Sequence, residues 1–155
     1  MADVVDVSTR SRMMSGIRHK DTAPELLVRR SLHAQGFRFR LHVAGLPGRP
    51  DIILPKHRAA ILVHGCFWHR HPGCRFATVP ATRPEFWAEK FQRNVERDRQ
   101  SERDLRRLGW RVATLWECGV RRFDGHAVNR LTEWLRSDLE TYEDPLPGSE
   151  GEALP

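Results

Sequence analysis

At 155 residues and 39% apolar content, the chain has room for one α/β domain with a real core. No run of 18 apolar residues is present, which excludes a helical membrane span. The formal charge of +6 hides an asymmetry: residues 140–155 hold five acids and no Lys or Arg, leaving 26 bases against 15 acids in residues 1–139, a net of +11. A balance this basic, and dominated by Arg, favours a polyanionic partner such as nucleic acid.

Residues 1–20 carry Arg10, Arg12, Arg18 and Lys20 around Met13, Met14 and Ile17, a basic arm that either packs as a flap or reaches a partner. The acidic start, Met1 to Asp6, has no apolar core of a signal peptide, so a cytoplasmic location is expected. Thr22-Ala23-Pro24-Glu25 has the pattern of a capping box and predicts a helix ending at Gly36, with Leu27, Ser31 and Ala34 as its inward face. Phe37, Phe39, Leu41 and Val43 alternate with polar residues, which predicts a half-buried strand. Ile52–Leu54 and Ala59–His64 read as two further strands joined by a short turn. Residues 75–84 read as loop and 85–108 as helix, with Trp87, Phe91 and Val95 at spacing four. The charged middle of that helix, residues 96–104, leaves it solvated, kinked or split. Residues 110–117 predict a strand that delivers Cys118, with Trp110 and Trp116 in the core, and Val128, Leu131 and Leu135 mark a last amphipathic helix. The acidic, Pro- and Gly-rich stretch 140–155 reads as a tail, disordered from Tyr142.

The most informative stretch is His64-Gly65-Cys66-Phe67-Trp68-His69-Arg70-His71-Pro72-Gly73-Cys74. Three Cys are an odd count, and beside clustered His they point to metal rather than disulfides. A structural zinc takes four N/S ligands, and Cys66, His71, Cys74 and Cys118 supply them, using every Cys in the chain. His64 and His69 are rival nitrogen donors; His71 is preferred because Pro72-Gly73 leaves a workable turn to Cys74. The pattern also accommodates three buried thiols without metal.

Pro50-Asp51 at the mouth of a strand, with a second strand twelve residues on, matches the layout of metal-dependent nucleases. The second strand lacks the usual acid and Lys, and ends Val63-His64-Gly65 instead. Taken with 46–51 (LPGRPD), 64–69 (HGCFWH), 79–83 (VPATR), 85–87 (EFW), 94–98 (NVERD), 109–112 (GWRV) and 116–118 (WEC), the order and spacing resemble the very-short-patch repair (Vsr) mismatch endonuclease family, from about Thr9 to Cys118.

That resemblance implies a restriction-endonuclease-like α/β fold, a mixed sheet flanked by helices, with one structural zinc on Cys66, His71, Cys74 and Cys118. The spacing between His71 and Cys74 differs by one residue from the family pattern. The resemblance also implies magnesium on Asp51 and on the backbone carbonyl of Val63, a position where the family often carries Thr. His69 then resembles a catalytic His near the attacking water, His64 an auxiliary catalytic His, and Glu25 a carboxylate linked to metal through water. Phe67, Trp68 and Trp87 resemble a wedge inserted into the base stack from the major groove, and Met14 an insertion from the minor groove.

The domain plan expected is an arm over 1–20, a nuclease domain over 21–139 and the tail over 140–155. The activity expected is strand-specific nicking 5′ of T in T:G mispairs that arise from deaminated 5-methylcytosine. The partner is double-stranded DNA carrying that mispair, with mismatch-repair proteins and a DNA polymerase as further partners implied by the family. A monomer located on the bacterial nucleoid is expected. Two other readings stay open: a related restriction-like nuclease with another target, and a non-catalytic DNA-binding module stabilised by zinc.

Overall fold

The computed structural model describes residues 21–122 and 126–145. The basic arm with Met14, and residues 146–155, lie outside them. The elements in chain order are α1 (Ala23–Ala34), β1 (Arg40–Leu41), β2 (Ile52–Leu54), a 3-10 turn (Pro55–His57), β3 (Ala59–His64), α2 (Pro84–Arg107), β4 (Arg111–Trp116), α3 (Glu117–Arg122), α4 (His126–Leu135) and β5 (Thr141–Asp144). Among the described residues the strands form one mixed sheet in the order β1-β2-β3-β4-β5. The pairs β1/β2 and β2/β3 are antiparallel; β3/β4 and β4/β5 are parallel. Parallel pairing needs a crossover, and α2 with its preceding loop makes the one from β3 to β4.

The alternation along each strand splits the core in two. Ile52, Leu54, Ala59, Ile61, Ala113 and Leu115 face α1 and α4, where Val28, Leu32, Val128, Leu131 and Leu135 meet them. Ile53, Ala60, Leu62 and Val112 face the other way, against Leu105 of α2. Full burial of each Val, Leu or Ile side chain in these layers contributes roughly 1.5–3 kcal/mol. His64 and Trp116 end β3 and β4 side by side in register, so the crossover face carries both into the functional end of the sheet.

Three expectations change, and one open alternative is decided. The inward face of α1 is Pro24, Glu25, Val28 and Leu32, while Leu27 is 45% exposed. The face is rotated because it buries a carboxylate, Glu25, which hydrophobic periodicity counts as outward. The stretch 37–43 pairs only at Arg40–Leu41, because His42 turns the chain at φ +45°. The charged middle of α2 neither kinks nor splits: it is one helix of 24 residues, solvated on its outer face. Residues 141–144, placed in a disordered tail by their acidity, form edge strand β5. Their charges have specific partners: Asp144 takes Arg130 Nε and Nη2 at 2.6 and 3.0 Å and the Tyr142 hydroxyl at 2.7 Å, and Glu143 takes the Trp116 indole N–H at 2.8 Å.

Two glycines are required by close approach. Gly48, at φ +71°, lies where a Cβ would meet Ser101 Cβ at 2.7 Å, which seats the turn before Asp51 against α2. A Cβ on Gly119 would meet Pro145 Cδ at 2.6 Å, so only Gly lets the residue after β5 rest on α3.

Candidate active site and metal cluster

Pro50 lacks an N–H, so the β2–β3 ladder cannot continue through it. Asp51 takes over with both backbone and side chain: its N–H donates to the Ile61 carbonyl at 3.0 Å, and its Oδ2 accepts the Val63 N–H at 2.7 Å. In extended backbone a residue's N–H and C=O point to one edge, so the Val63 carbonyl faces the edge where Asp51 sits. Burial, reinforced by the nearby Glu25 charge, pushes the Asp51 carboxyl up to about 8, against the lowering effect of the Val63 N–H. Glu25 arrives from α1 and is 1% exposed. Two carboxylates converging in a buried place require a shared proton or a cation between them. The site thus has the hard oxygen donors and the excess negative charge that a divalent ion such as magnesium neutralises.

A cleft of about 540 Å³ opens beside this pair. Glu25, Val63, His64, Trp68 and His69 line it, together with Lys90, Asn94, Arg97 and Asp98 of α2. His69 is fixed by Asp98: its Nδ1–H donates to Oδ2 at 2.7 Å, leaving Nε2 with the lone pair when the ring is neutral. His64 stacks on His69 with ring centroids 3.9 Å apart and ring planes nearly parallel. Burial and then the adjacent His69 charge hold His64 down to about 3, so it is neutral at physiological pH. Asn94 Nδ2 donates to the Trp68 carbonyl at 3.1 Å and ties the loop to α2.

The same loop sends alternate side chains elsewhere. Cys66, His71, Cys74 and Cys118 are all buried, and their donor atoms lie within 4.8 Å of one another. His71 Nδ1 is 3.8 Å from Cys66 Sγ and 3.5 Å from Cys118 Sγ. Its Nε2 donates to the Pro145 carbonyl at 3.3 Å, which sets the tautomer and turns the Nδ1 lone pair on the thiols. The ring stacks on Trp116 at 4.4 Å. Hydrogen bonding from Cys118 outweighs burial and brings the Cys66 thiol down to about 4, so a thiolate is available. Three sulfurs and one imidazole in a closed, dry site fit tetrahedral zinc. His64 and His69, the rival nitrogen donors, lie in the cleft instead.

Phe67, Trp68 and Trp87 meet one another at centroid distances of 5.0, 6.0 and 6.1 Å, and each is partly exposed. Phe91 backs them, at 5.3 Å from Phe67 and 5.5 Å from Trp87. The Arg70 guanidinium lies 3.9 Å from the Phe91 ring centre and donates to the carbonyls of Phe67, Ala77 and Thr78. The aromatic ridge therefore has a firm base and a free edge beside the cleft. Met14 lies outside the described residues.

Asp98 is the functional residue that the sequence reading left without a role. The signal was weak: it lies on a charged helix surface, and its partner His69 is 29 positions away.

The family model for DNA mismatch endonuclease Vsr matches residues 2–75. The chain is 48% identical over 139 residues to the DNA mismatch endonuclease Vsr of Escherichia coli (strain K12), covering 87% of this chain and 88% of that protein. It is 46% identical over 118 residues to the type II nicking enzyme V.XorIIP of Xanthomonas oryzae pv. oryzae, covering 76% of this chain and 86% of the relative. It is also 40% identical over 121 residues to the type II nicking enzyme V.NmeAIP of Neisseria meningitidis, covering 78% and 86%.

Proposed function

Because this chain belongs to the DNA mismatch endonuclease Vsr family, we propose that it nicks one strand of duplex DNA 5′ of the T in a T:G mispair, the product of 5-methylcytosine deamination, as an early step of short-patch repair. Its mixed sheet with flanking helices is the restriction-endonuclease-like scaffold of that family. The observation that carries the reading is the convergence of Glu25, Val63, His64 and His69 on one cleft, with the Val63 N–H bonded to Asp51.

In this reading Asp51 and the Val63 carbonyl would hold magnesium, with the Glu25 carboxylate assisting beside them. Magnesium there would supply charge neutralisation at the phosphoryl oxygens and ease ionisation of the attacking water. A carbonyl donor tolerates Val63, since it asks nothing of the side chain. His69 Nε2 is the proton-handling atom, and Asp98 keeps it aimed by fixing Nδ1–H. His64, buried and neutral, holds the His69 ring by stacking and acts as an auxiliary group without carrying charge. Lys90, Arg97 and Arg121 line the cleft and would meet backbone phosphates. Phe67, Trp68 and Trp87 form the wedge entering a stack weakened by the mispair, with Met14 of the arm opposite. Cys66, His71, Cys74 and Cys118 hold one zinc, which pins the loop bearing Phe67, Trp68 and His69.

Strand-resolved cleavage of two duplexes tests the reading, one matched and one with a central T:G, each with and without magnesium. Nicking of the T strand of the mismatched duplex alone is expected. Cutting of both duplexes would support the restriction-like nuclease with another target. Tight binding without cutting would leave a zinc-stabilised recognition module.

A further inference from the structure

We propose that Arg29 is a positioning residue for Glu25: its guanidinium fills a three-donor set made by Asp21, Glu25 and His42, and so fixes which oxygen of the Glu25 carboxylate is offered to the cleft. The proposal rests on the nicking reading above.

Asp21, Glu25 and His42 place one donor atom each within 4.8 Å of the others, a set able to hold a metal ion. A single nitrogen, Arg29 Nη2, already sits among them, at 2.6 Å from Asp21 Oδ1, 3.0 Å from Glu25 Oε2 and 3.0 Å from His42 Nε2. His42 Nε2 also lies 3.5 Å from Asp21 Oδ1 and 3.6 Å from Glu25 Oε2, so the three donors close around the one nitrogen. Arg29 therefore acts as a tethered cation in a place built for one.

The consequence falls on Glu25. Its Oε2 receives two donors, Arg29 Nη2 and the Asp21 N–H, both at 3.0 Å. Its own N–H is held by Thr22 Oγ1 at 3.4 Å. With Oε2 engaged, Oε1 is the oxygen left for the Asp51 side of the site. Helix geometry makes this possible, because Glu25 and Arg29 stand four apart on one face, with the acid nearer the N-terminus. The buried Arg29 Nε has no partner among the described residues, so within them the guanidinium is seated for its Nη2 contacts. An ordinary surface ion pair would not leave a buried donor empty to reach a carboxylate that is itself 2% exposed.

The test is a kinetic cycle with Arg29→Ala, Glu25→Gln and the double variant, nicking a T:G duplex at saturating magnesium. Loss of an outer-shell partner should lower kcat roughly 10- to 100-fold in Arg29→Ala, with KM for duplex changed less than about twofold. Methylguanidinium should restore part of the rate. In the Glu25→Gln background, Arg29→Ala should add nothing, because the two act as one unit. Wild-type kcat in Arg29→Ala, or the same fold loss in both backgrounds, would overturn the clamp in favour of a purely structural ion pair. Should Arg29→Ala not fold, Arg29→Lys is read instead, with kcat between wild type and Glu25→Gln expected and an unchanged kcat overturning the proposal. A wild type that does not nick would sink the nicking reading, and Mn2+ alone then decides the clamp. Arg29→Ala should bind about one more Mn2+ per chain than wild type, lost again with Asp21→Asn; no added Mn2+ would overturn it.

Discussion

One loop, residues 64–74, serves two sites that differ in almost every physical respect. Cys66, His71 and Cys74 turn into a closed cluster of soft donors, buried and completed by Cys118. His64 and His69 turn into an open cleft bounded by carboxylates and by cations of α2. The cluster is built to stay shut, with its His tautomer locked by the Pro145 carbonyl. The cleft is open, and His69, held there through Nδ1, is the residue to which the proposed reading gives the proton. Spacing along the loop sorts the donors by chemistry, and the rigid half holds the reactive half at the right depth.

The comparison is broken most severely by removing its rigid half. Cys118→Ser, or prolonged chelation, should abolish nicking and also lower the melting temperature, because structural zinc contributes directly to folding. Metal analysis should find about one zinc per chain in the wild type and none in the variant. Absence of zinc in the wild type would dissolve the distinction between the halves.

Removing the reactive half should do the opposite. Asp51→Asn is expected to reduce nicking by about 10³-fold or more, while mismatch binding, read by gel shift, stays near wild type. The same substitution sharpens the contrast through pH. Asp51 in the folded protein is raised to about 8 from an ordinary value of 3.8. An acid with a raised folded value contributes stability fully below its unfolded value and loses it as pH rises through the folded one. Without divalent metal, the wild type should therefore lose melting temperature between about pH 4 and pH 8 more steeply than Asp51→Asn. Magnesium should flatten the wild-type slope. Parallel slopes in the two proteins would remove Asp51 from the buried charge pair.

Smaller effects come from the contacts that aim each half. Asp98→Asn keeps the shape but loses the charge that orients His69, and should cost about 10- to 100-fold in kcat with zinc content unchanged. Glu143→Gln weakens the Trp116 indole contact beside the cluster and should cost about 1 kcal/mol of stability with little effect on kcat.

Much of this arrangement was legible in the residues. Cys66, His71, Cys74 and Cys118 carry ligand chemistry in their identity, and the turn at Pro72-Gly73 ranks His71 above its rivals. Ile52–Leu54 and Ala59–His64 are apolar enough to be strands in any setting. What failed had tertiary causes. Leu27 looks more inward than Glu25 by hydrophobicity, yet α1 buries the carboxylate because the site needs it. Thr141–Asp144 looks like tail by composition, yet Arg130 and Trp116, distant in sequence, satisfy its charges. Asp98 looks like one more solvated acid on α2 until the loop brings His69 against it. Local pattern cannot register a partner dozens of residues away.

The Pro145 carbonyl that holds His71 also gives the chain an order of assembly. Synthesis proceeds from the N-terminus, so Asp51, His64 and His69 leave the ribosome long before Cys118, and Cys118 before the strand that ends at Asp144. A nascent chain therefore carries His64 and His69 through a period when Asn94 can hold their loop but the cluster cannot. The cluster can close only after every residue that lines the cleft has been made, so the loop bearing His64 and His69 takes its final seat last.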